Sequence, residues 1–346
     1  MGQYLNPSAD LFSGLAHAPR YVDRTALIAY TNGVMKTFRC LTCSCRPPHF
    51  GKSGDARMLA AYYSRGAQTK AVFDRLQIAR LTDLPFETPA ARFVSYETYL
   101  NQLDVIFLDL NRWRPYRRGN GTFLDDLQSR VIAEIQSDIP ETESYRTRSL
   151  PDILSFAAAK TGRKFFIIID NYDVLFREPS DESLQTKYLL LLRQLFACGL
   201  SMTFTAGAYL TGVLPIAKNG IGASLANFVQ CSTIHPGAIG ALSGRDNFSQ
   251  AAQNADAFLK KYLSLKFTGL QAAVHCLVDG GRCHIDPEGF LNNVNSLSSY
   301  EDVLTWLTYF GYLSYDRATK TVSIPNEALR QKVRSVTEIP LSSDGS

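Results

Sequence analysis

No run of apolar residues in this sequence is long enough to span a bilayer, and its start does not resemble a secretion signal. The seven cysteines are odd in number and outline no disulfide framework. These absences lead us to expect a cytoplasmic protein without a membrane partner. With 346 residues, 45% of them hydrophobic, the chain has enough apolar material for the cores of roughly two domains.

An excess of one charge is also missing, since 36 Lys and Arg stand against 32 Asp and Glu, a net charge of +4. So small a balance neither argues for nor excludes a nucleic-acid partner. One local cluster mixes basic and aromatic residues: Arg112, Trp113, Arg114, Tyr116, Arg117 and Arg118. Such a cluster can contact a phosphate backbone. We favour a solvated loop, which leaves nucleic-acid binding unsupported.

The most informative motif is Gly51-Lys52-Ser53, which lies between a strand-like run at Thr37–Cys43 and a helix-like stretch at Ser53–Tyr63. In such a strand–loop–helix, backbone N–H groups surround a polyphosphate, the lysine reaches its outer phosphates, and the serine hydroxyl ligates Mg²⁺. The first glycine of the usual pattern is replaced by Arg46. The alternative is an ordinary turn in which Gly51 only supplies an unusual φ.

A second motif is the apolar run Lys164–Ile169 that ends at Asp170, a pattern typical of a buried parallel strand. Beside a phosphate-binding loop, a carboxylate at the tip of such a strand holds magnesium. Alone, the run is equally a core strand stopped by a solvated aspartate. Together, the two motifs predict a site for ATP and Mg²⁺, with Ser53 and Asp170 as the metal-binding residues.

Cysteines just before the loop raise a different hypothesis. Cys40 and Cys43 have the spacing of a zinc-ligand pair, with Cys45 and His49 nearby. Strand alternation, however, places Cys40 on the opposite face from Cys43 and Cys45. We therefore favour buried, apolar cysteines over a zinc site.

Strand-like and helix-like segments alternate along the chain, which predicts a parallel sheet covered by helices on both faces. The remaining predicted strands are Asp104–Leu110, Phe165–Asp170, Thr203–Leu210 and Phe228–Ile234. The remaining predicted helices are Phe123–Ile139, Leu150–Thr161 and Leu184–Leu200. Ser149 is expected to cap the second of these helices, with Pro151 just inside it.

The chain divides into an N-terminal arm (1–36), a core (37–237), a linker (238–259), a second domain (260–338) and a polar tail (339–346). Three predicted helices (Gly269–Val278, Pro287–Leu297 and Tyr300–Phe310) and a hairpin around Asp316–Lys320 indicate that the second domain is winged-helix-like. The helix that would enter a DNA groove carries Glu301 and Asp302 but no Lys or Arg, which argues against groove binding.

Several segments in order resemble the predicted AAA-ATPase-like family: Tyr4–Pro7, Tyr21–Thr25, Phe50–Ser53, Asp104–Asp109, Ile169–Asp170 with Asp173, Leu175–Glu178, Tyr209–Ile216, Gly281–Cys283, Asp302–Thr305, Gly311–Leu313 and Ile324–Glu327. The resemblance covers most of the chain. It implies a sheet of the additional-strand class, with the strand that bears Thr211 between the two motif strands. Thr211 or Tyr209 could then sense the γ-phosphate, unless both merely pack at a strand end. The family also has arginine at the position of Arg46.

Departures from the family suggest altered function. Asn171 stands where a glutamate normally activates the attacking water, so we expect slow or absent hydrolysis, with Asp173 as the alternative base. Pro48 and His49 replace two basic residues of the loop, and Asp55 could repel a polyphosphate. The family's middle region is expected to be shortened here, and its nuclease-like PD-(D/E)XK domain to be missing.

Two hypotheses remain. The first is an AAA-ATPase-like protein that binds Mg–ATP at Arg46, His49, Gly51, Lys52, Ser53 and Thr211, with weak or absent hydrolysis. The second is a degenerate pseudo-ATPase that serves as a protein-interaction or scaffold module. A protein partner or a homo-oligomer fits either one. Arg177 and Arg193 are candidates for an arginine finger by residue type only.

Overall fold

The computed structural model describes residues 2–84, 91–113, 122–178, 181–197, 199, 201–216, 225–235 and 256–337. The strands within these ranges are β1 (Leu41–Cys45), β2 (Asp104–Asp109), β3 (Phe165–Asp170), β4 (Thr205–Gly212), β5 (Val229–Cys231), β6 (Cys283–His284), β7 (Ser314–Asp316) and β8 (Thr321–Ser323). The α-helices are α1 (Asp10–Ala16), α2 (Ala26–Val34), α3 (Lys52–Tyr63), α4 (Lys70–Phe73), α5 (Phe123–Asp138), α6 (Leu150–Thr161), α7 (Val174–Arg177), α8 (Glu182–Phe196), α9 (Ser201–Phe204), α10 (Asp256–Leu263), α11 (Leu270–Val278), α12 (Tyr300–Tyr309) and α13 (Glu327–Thr337).

The first five strands form one parallel sheet in the order β2-β3-β4-β1-β5. The predicted parallel α/β sheet is confirmed, and β4, which bears Thr211, lies between β1 and β3 as predicted. Because the carboxyl ends of parallel strands share one edge of the sheet, the loops that follow β1, β3 and β4 are neighbours.

Both faces of the sheet are covered, and β3 shows why the run is apolar throughout. Phe166 and Ile168 pack into one apolar cluster with α1, α2 and α3, while Ile167 and Ile169 pack into another with α5, α6 and α8. The predicted cap of α6 is present, since the Ser149 side chain accepts the N–H of Asp152. Successive side chains of a strand point to opposite faces of the sheet, so a strand that is covered on both faces is apolar at every position.

The residues before β1 pack onto the same core. Leu5 forms an antiparallel bridge with Ile106, and the N–H of Phe107 donates to the carbonyl of Tyr4 at 2.8 Å. The Glu134 carboxylate accepts the N–H of Leu5 at 2.8 Å. Phe12 of α1, which is 1% exposed, lies in the cluster that covers α3. Residues 2–36 are therefore joined to the sheet by both hydrogen bonds and apolar contacts.

Residues 256–337 form a second unit, in which helices surround a small antiparallel sheet of order β6-β8-β7. Its largest buried side chain, Trp306, shares one apolar cluster with Val213, Leu214 and Ile234 of the core. The second unit therefore rests directly on the turn that follows β4.

The prediction of a helix at Pro287–Leu297 is wrong. The segment holds only a short 3₁₀ helix at Val294–Ser296. Asn292 has a positive φ of 54°, and the Asn293 side chain accepts the N–H of Asn295. Asparagine side chains that bond the nearby backbone compete with helical hydrogen bonds, and in this segment they replace the predicted α-helix.

In the ranges that the structure covers, no helix is long and apolar enough to cross a membrane. Most of the basic cluster after β2 lies outside the described residues. The same is true of most of the expected linker (238–259) and of the polar tail (339–346).

Candidate functional site

The loop between β1 and α3 has the left-handed geometry that its glycine allows. Gly51, at the N-terminus of α3, has a φ of +77°, and His49 has a φ of +69°. A Cβ atom on Gly51 would lie 2.3 Å from Nη1 of Arg24, which donates to the carbonyl of Phe50 at 2.7 Å. The left-handed φ favours glycine at position 51, whereas the Arg24 guanidinium is the end of a flexible side chain and could shift.

Arg46, at the position of the usual first glycine, ties the loop to α3. Its side chain is 4% exposed, and the guanidinium forms a hydrogen-bonded ion pair with Asp55 in the first turn of α3. Burial would lower the pKa of Arg46, but the charge and hydrogen bond of Asp55 outweigh it and raise the pKa. The expected repulsion between Asp55 and a polyphosphate is thus offset by Arg46.

Lys52 is folded back into the loop. The residue is 7% exposed, and its ammonium donates to the carbonyls of Arg46 and Pro47, each at 2.7 Å. Burial lowers the pKa of Lys52 to about 8, and the opposing charge of Asp173 does not restore it. A phosphate that binds the lysine must therefore compete with two carbonyls of the loop itself.

The ends of β3 and β4 bring the predicted magnesium and sensor residues together. Asp170 is 1% exposed and accepts a hydrogen bond from the hydroxyl of Thr211. That hydroxyl also accepts the N–H of Asn171 at 3.2 Å. Tyr209 is buried in the apolar layer below α3. Of the two sensor candidates, only Thr211 contacts the strand-end carboxylate.

Asn171 and Asp173, the two catalytic candidates, differ in their surroundings. Asn171 lines a cavity and has a φ of +60°, a conformation that asparagine tolerates better than most residues. Asp173 is completely buried, and its Oδ2 accepts the N–H groups of Val213 and Leu214, both at 2.8 Å. Asp173 thus holds the turn after β4, which does not suit a base that must meet water.

An open cavity of about 540 Å³ lies beside these residues at the carboxyl edge of the sheet, and the buried Asp170 and Thr211 are not among its lining residues. Its lining includes His49, Lys52 and Ser53 from the loop and α3, together with Asn171 and Arg177 from the segment after β3. The volume falls within the usual range for small-molecule sites. Arg193, the other arginine candidate, is exposed on α8 and does not line this cavity.

Asp109 is a neighbouring carboxylate that the sequence motifs did not assign to the site. It pairs in register with Asp170 at the ends of β2 and β3. Burial, followed by the charge of Asp170, raises the pKa of Asp109. The sequence contained a signal for Asp109, because the apolar run of β2 also ends in aspartate. The carboxyl ends of parallel strands lie at one edge of the sheet, which brings Asp109 next to Asp170.

The cysteines before the loop are buried, as expected. Cys43 and Cys45 lie on one face with their Sγ atoms 3.5 Å apart, and burial raises the pKa of Cys45. Among the described residues, no group of three or more His, Cys, Asp or Glu could hold a metal ion. Magnesium at a nucleotide site is different, because it uses one or two protein ligands together with phosphates and waters.

Fold and site together define an α/β protein with a cavity at the turn between a parallel strand and the following helix. The chain belongs to the predicted AAA-ATPase family, whose sequence model, described as "Predicted AAA-ATPase", matches residues 14–222. None of the curated proteins matches the chain.

A comparison with solved structures finds the ORC2 protein of Aeropyrum pernix, determined in ADPNP-ADP complexes. It is 11% identical, with 95% of this chain and 93% of that chain covered, and the TM-score is 0.36. A likeness at that score supports no conclusion about the function of this chain.

Proposed function

We propose that this protein binds Mg–ATP in the 540 Å³ cavity and hydrolyses it slowly or not at all. The observation that carries the proposal is that the Gly51–Ser53 segment and Asn171 line one cavity, at the sheet edge where the buried Asp170 bonds Thr211. Membership of a family of predicted ATPases supports the same conclusion.

The residues around the cavity fit an anionic, metal-bound ligand. Gly51 directly precedes α3, and the first N–H groups of a helix, which have no helical partners, favour phosphate. Lys52 would move from its loop carbonyls to the outer phosphates, while Ser53 and Asp170 would hold magnesium. Bound magnesium supplies charge neutralisation on the phosphates. Thr211, through its bond to Asp170, would keep that carboxylate oriented.

Slow hydrolysis follows from the groups that face the cavity. Asn171 presents an amide, which cannot accept a proton from water. Asp173 is occupied by two backbone N–H groups and is fully buried. The alternative, a pseudo-ATPase scaffold with an unused nucleotide site, is favoured by one observation: the loop carbonyls already satisfy Lys52.

The second unit extends this proposal. We interpret residues 256–337 as a winged-helix-like module that packs on the nucleotide core. The carboxylate of Asp302 closes the capping box of α12 with Ser299, so it serves the fold. With no Lys or Arg on α12, the unit is better suited to packing or to a protein partner, including a second copy, than to a DNA groove.

Thermal unfolding with and without Mg–ATP tests the proposal. At about a hundredfold excess over Kd, a ligand of the folded state stabilises it by about 2.7 kcal/mol, which raises Tm by about 5 °C. We expect Lys52→Ala to abolish this gain, because the outer phosphates lose their cation. Lys187→Ala, which removes an exposed lysine of α8, is the matched control and should keep it. An unchanged wild-type Tm at millimolar Mg–ATP would leave the scaffold alternative.

A further inference from the structure

Arg177, the last residue of α7, lines the cavity together with Lys52 and Ser53. Its side chain is only 15% exposed. The Nε and Nη2 groups of this guanidinium have no well-formed hydrogen bond among the described residues. Leaving buried arginine N–H groups without acceptors costs free energy. The Arg177 guanidinium therefore has room for a further hydrogen-bond acceptor.

One carboxylate partly compensates Arg177. Nε lies 2.9 Å from Oδ2 of Asp173, one turn earlier. The same oxygen accepts the N–H groups of Val213 and Leu214, so it is shared among three donors. Asp173 therefore fixes the base of the Arg177 side chain but does not satisfy the whole guanidinium.

The charges around the cavity point to an anion as the missing acceptor. Arg177 and Lys52 are close enough for the arginine to contribute to the lowered pKa of the lysine. Two cations that face one cavity repel each other until an anion lies between them.

We propose that Arg177 donates hydrogen bonds to the terminal phosphate of the bound nucleotide and that Asp173 positions its guanidinium for this contact. The inference rests on the proposed function, because it assigns a ligand contact within the same cavity. An arginine suits this role because its planar fork matches two phosphate oxygens. It comes from the same chain, so the contact needs no second subunit.

Equilibrium titration of the full chain with Mg–ATP and with Mg–ADP tests the inference. A lost charge-assisted pair costs a factor of about 10 to 100 in affinity. Arg177→Gln should therefore weaken Mg–ATP by that factor and Mg–ADP by less than about threefold. Arg193→Gln, which makes the same change on the exposed face of α8, should leave both affinities unchanged.

The outcomes separate the two levels of the proposal. If the wild type binds neither nucleotide, the proposed function fails and this inference falls with it. If the wild type binds and Arg177→Gln keeps the ATP affinity, or loses ATP and ADP equally, only the role of Arg177 is overturned. Should Arg177→Gln not fold because Asp173 loses its cation, Arg177→Lys keeps the charge. It should still reduce the preference for ATP over ADP about tenfold, since the two-pronged contact is gone.

Discussion

Arg46→Ala is expected to lower the free energy of unfolding by about 3–5 kcal/mol, the usual loss when one member of a buried ion pair is removed. Arg46 and Asp55 have side chains only 4% and 7% exposed, and their carboxylate and guanidinium are in direct contact. In the variant, Asp55 keeps only the more distant Arg24, whose Nη1 lies 3.8 Å away. Urea unfolding of the nucleotide-free protein measures the loss.

A double variant is the control for this prediction. Arg46→Met with Asp55→Leu removes both charges at similar volume, so it should lie much closer to the wild type than Arg46→Ala does. Arg46→Gly, which restores the usual loop glycine, should also destabilise the protein for the same reason. A loss below about 1 kcal/mol in Arg46→Ala would show that the pair behaves like a surface salt bridge.

Turnover should rise by about tenfold or more when Asn171 is replaced by a carboxylate, on the scale of a general-base contribution. Asn171→Glu introduces the expected carboxylate but places a longer side chain at a φ of +60°. Asn171→Asp keeps a residue that tolerates this conformation, with a shorter reach. Phosphate release at saturating Mg–ATP measures both variants.

Asn111→Asp provides the matched control, because it makes the same amide-to-carboxylate change elsewhere in the cavity lining. It should not raise turnover, since it adds a negative charge without placing a carboxylate at position 171. A wild type that already turns over at about one per second or faster would show that Asn171 is not the deficit. The base would then have to be sought elsewhere, and Asp109 is the neighbouring carboxylate at this edge.

The central strands could be predicted because their residues are apolar at every position. Phe165–Asp170 was predicted with the bounds that the structure shows, since both faces of β3 are covered. β1 is less apolar, with the sequence Leu-Thr-Cys-Ser-Cys, and it begins at Leu41, four residues later than predicted. β4 likewise begins two residues late, at Thr205, because α9 occupies the preceding residues. Where the apolar pattern is weak, the sequence therefore predicted the first residue of a strand inaccurately.

The individual residues of the site could be predicted from the sequence, but the contacts between their side chains could not. Gly51, Lys52 and Asp170 stand out in the sequence because strand–loop–helix chemistry restricts their types and spacing. That Asp55 pairs with Arg46, and that Asp173 holds the turn at Val213, depend on side chains brought together by the fold. Asp173 lies 40 residues from Val213, and no local pattern reports such a contact.

Equilibrium binding of ATP in Mg²⁺ and in EDTA tests the central claim most directly. We predict one site per chain with a Kd below about 1 mM in Mg²⁺, and binding at least about tenfold weaker in EDTA, because Ser53 and Asp170 act through the metal. Lys52→Ala should lose binding in both conditions. No binding to the wild type at millimolar ATP in Mg²⁺ would contradict the claim and leave the cavity without a nucleotide role.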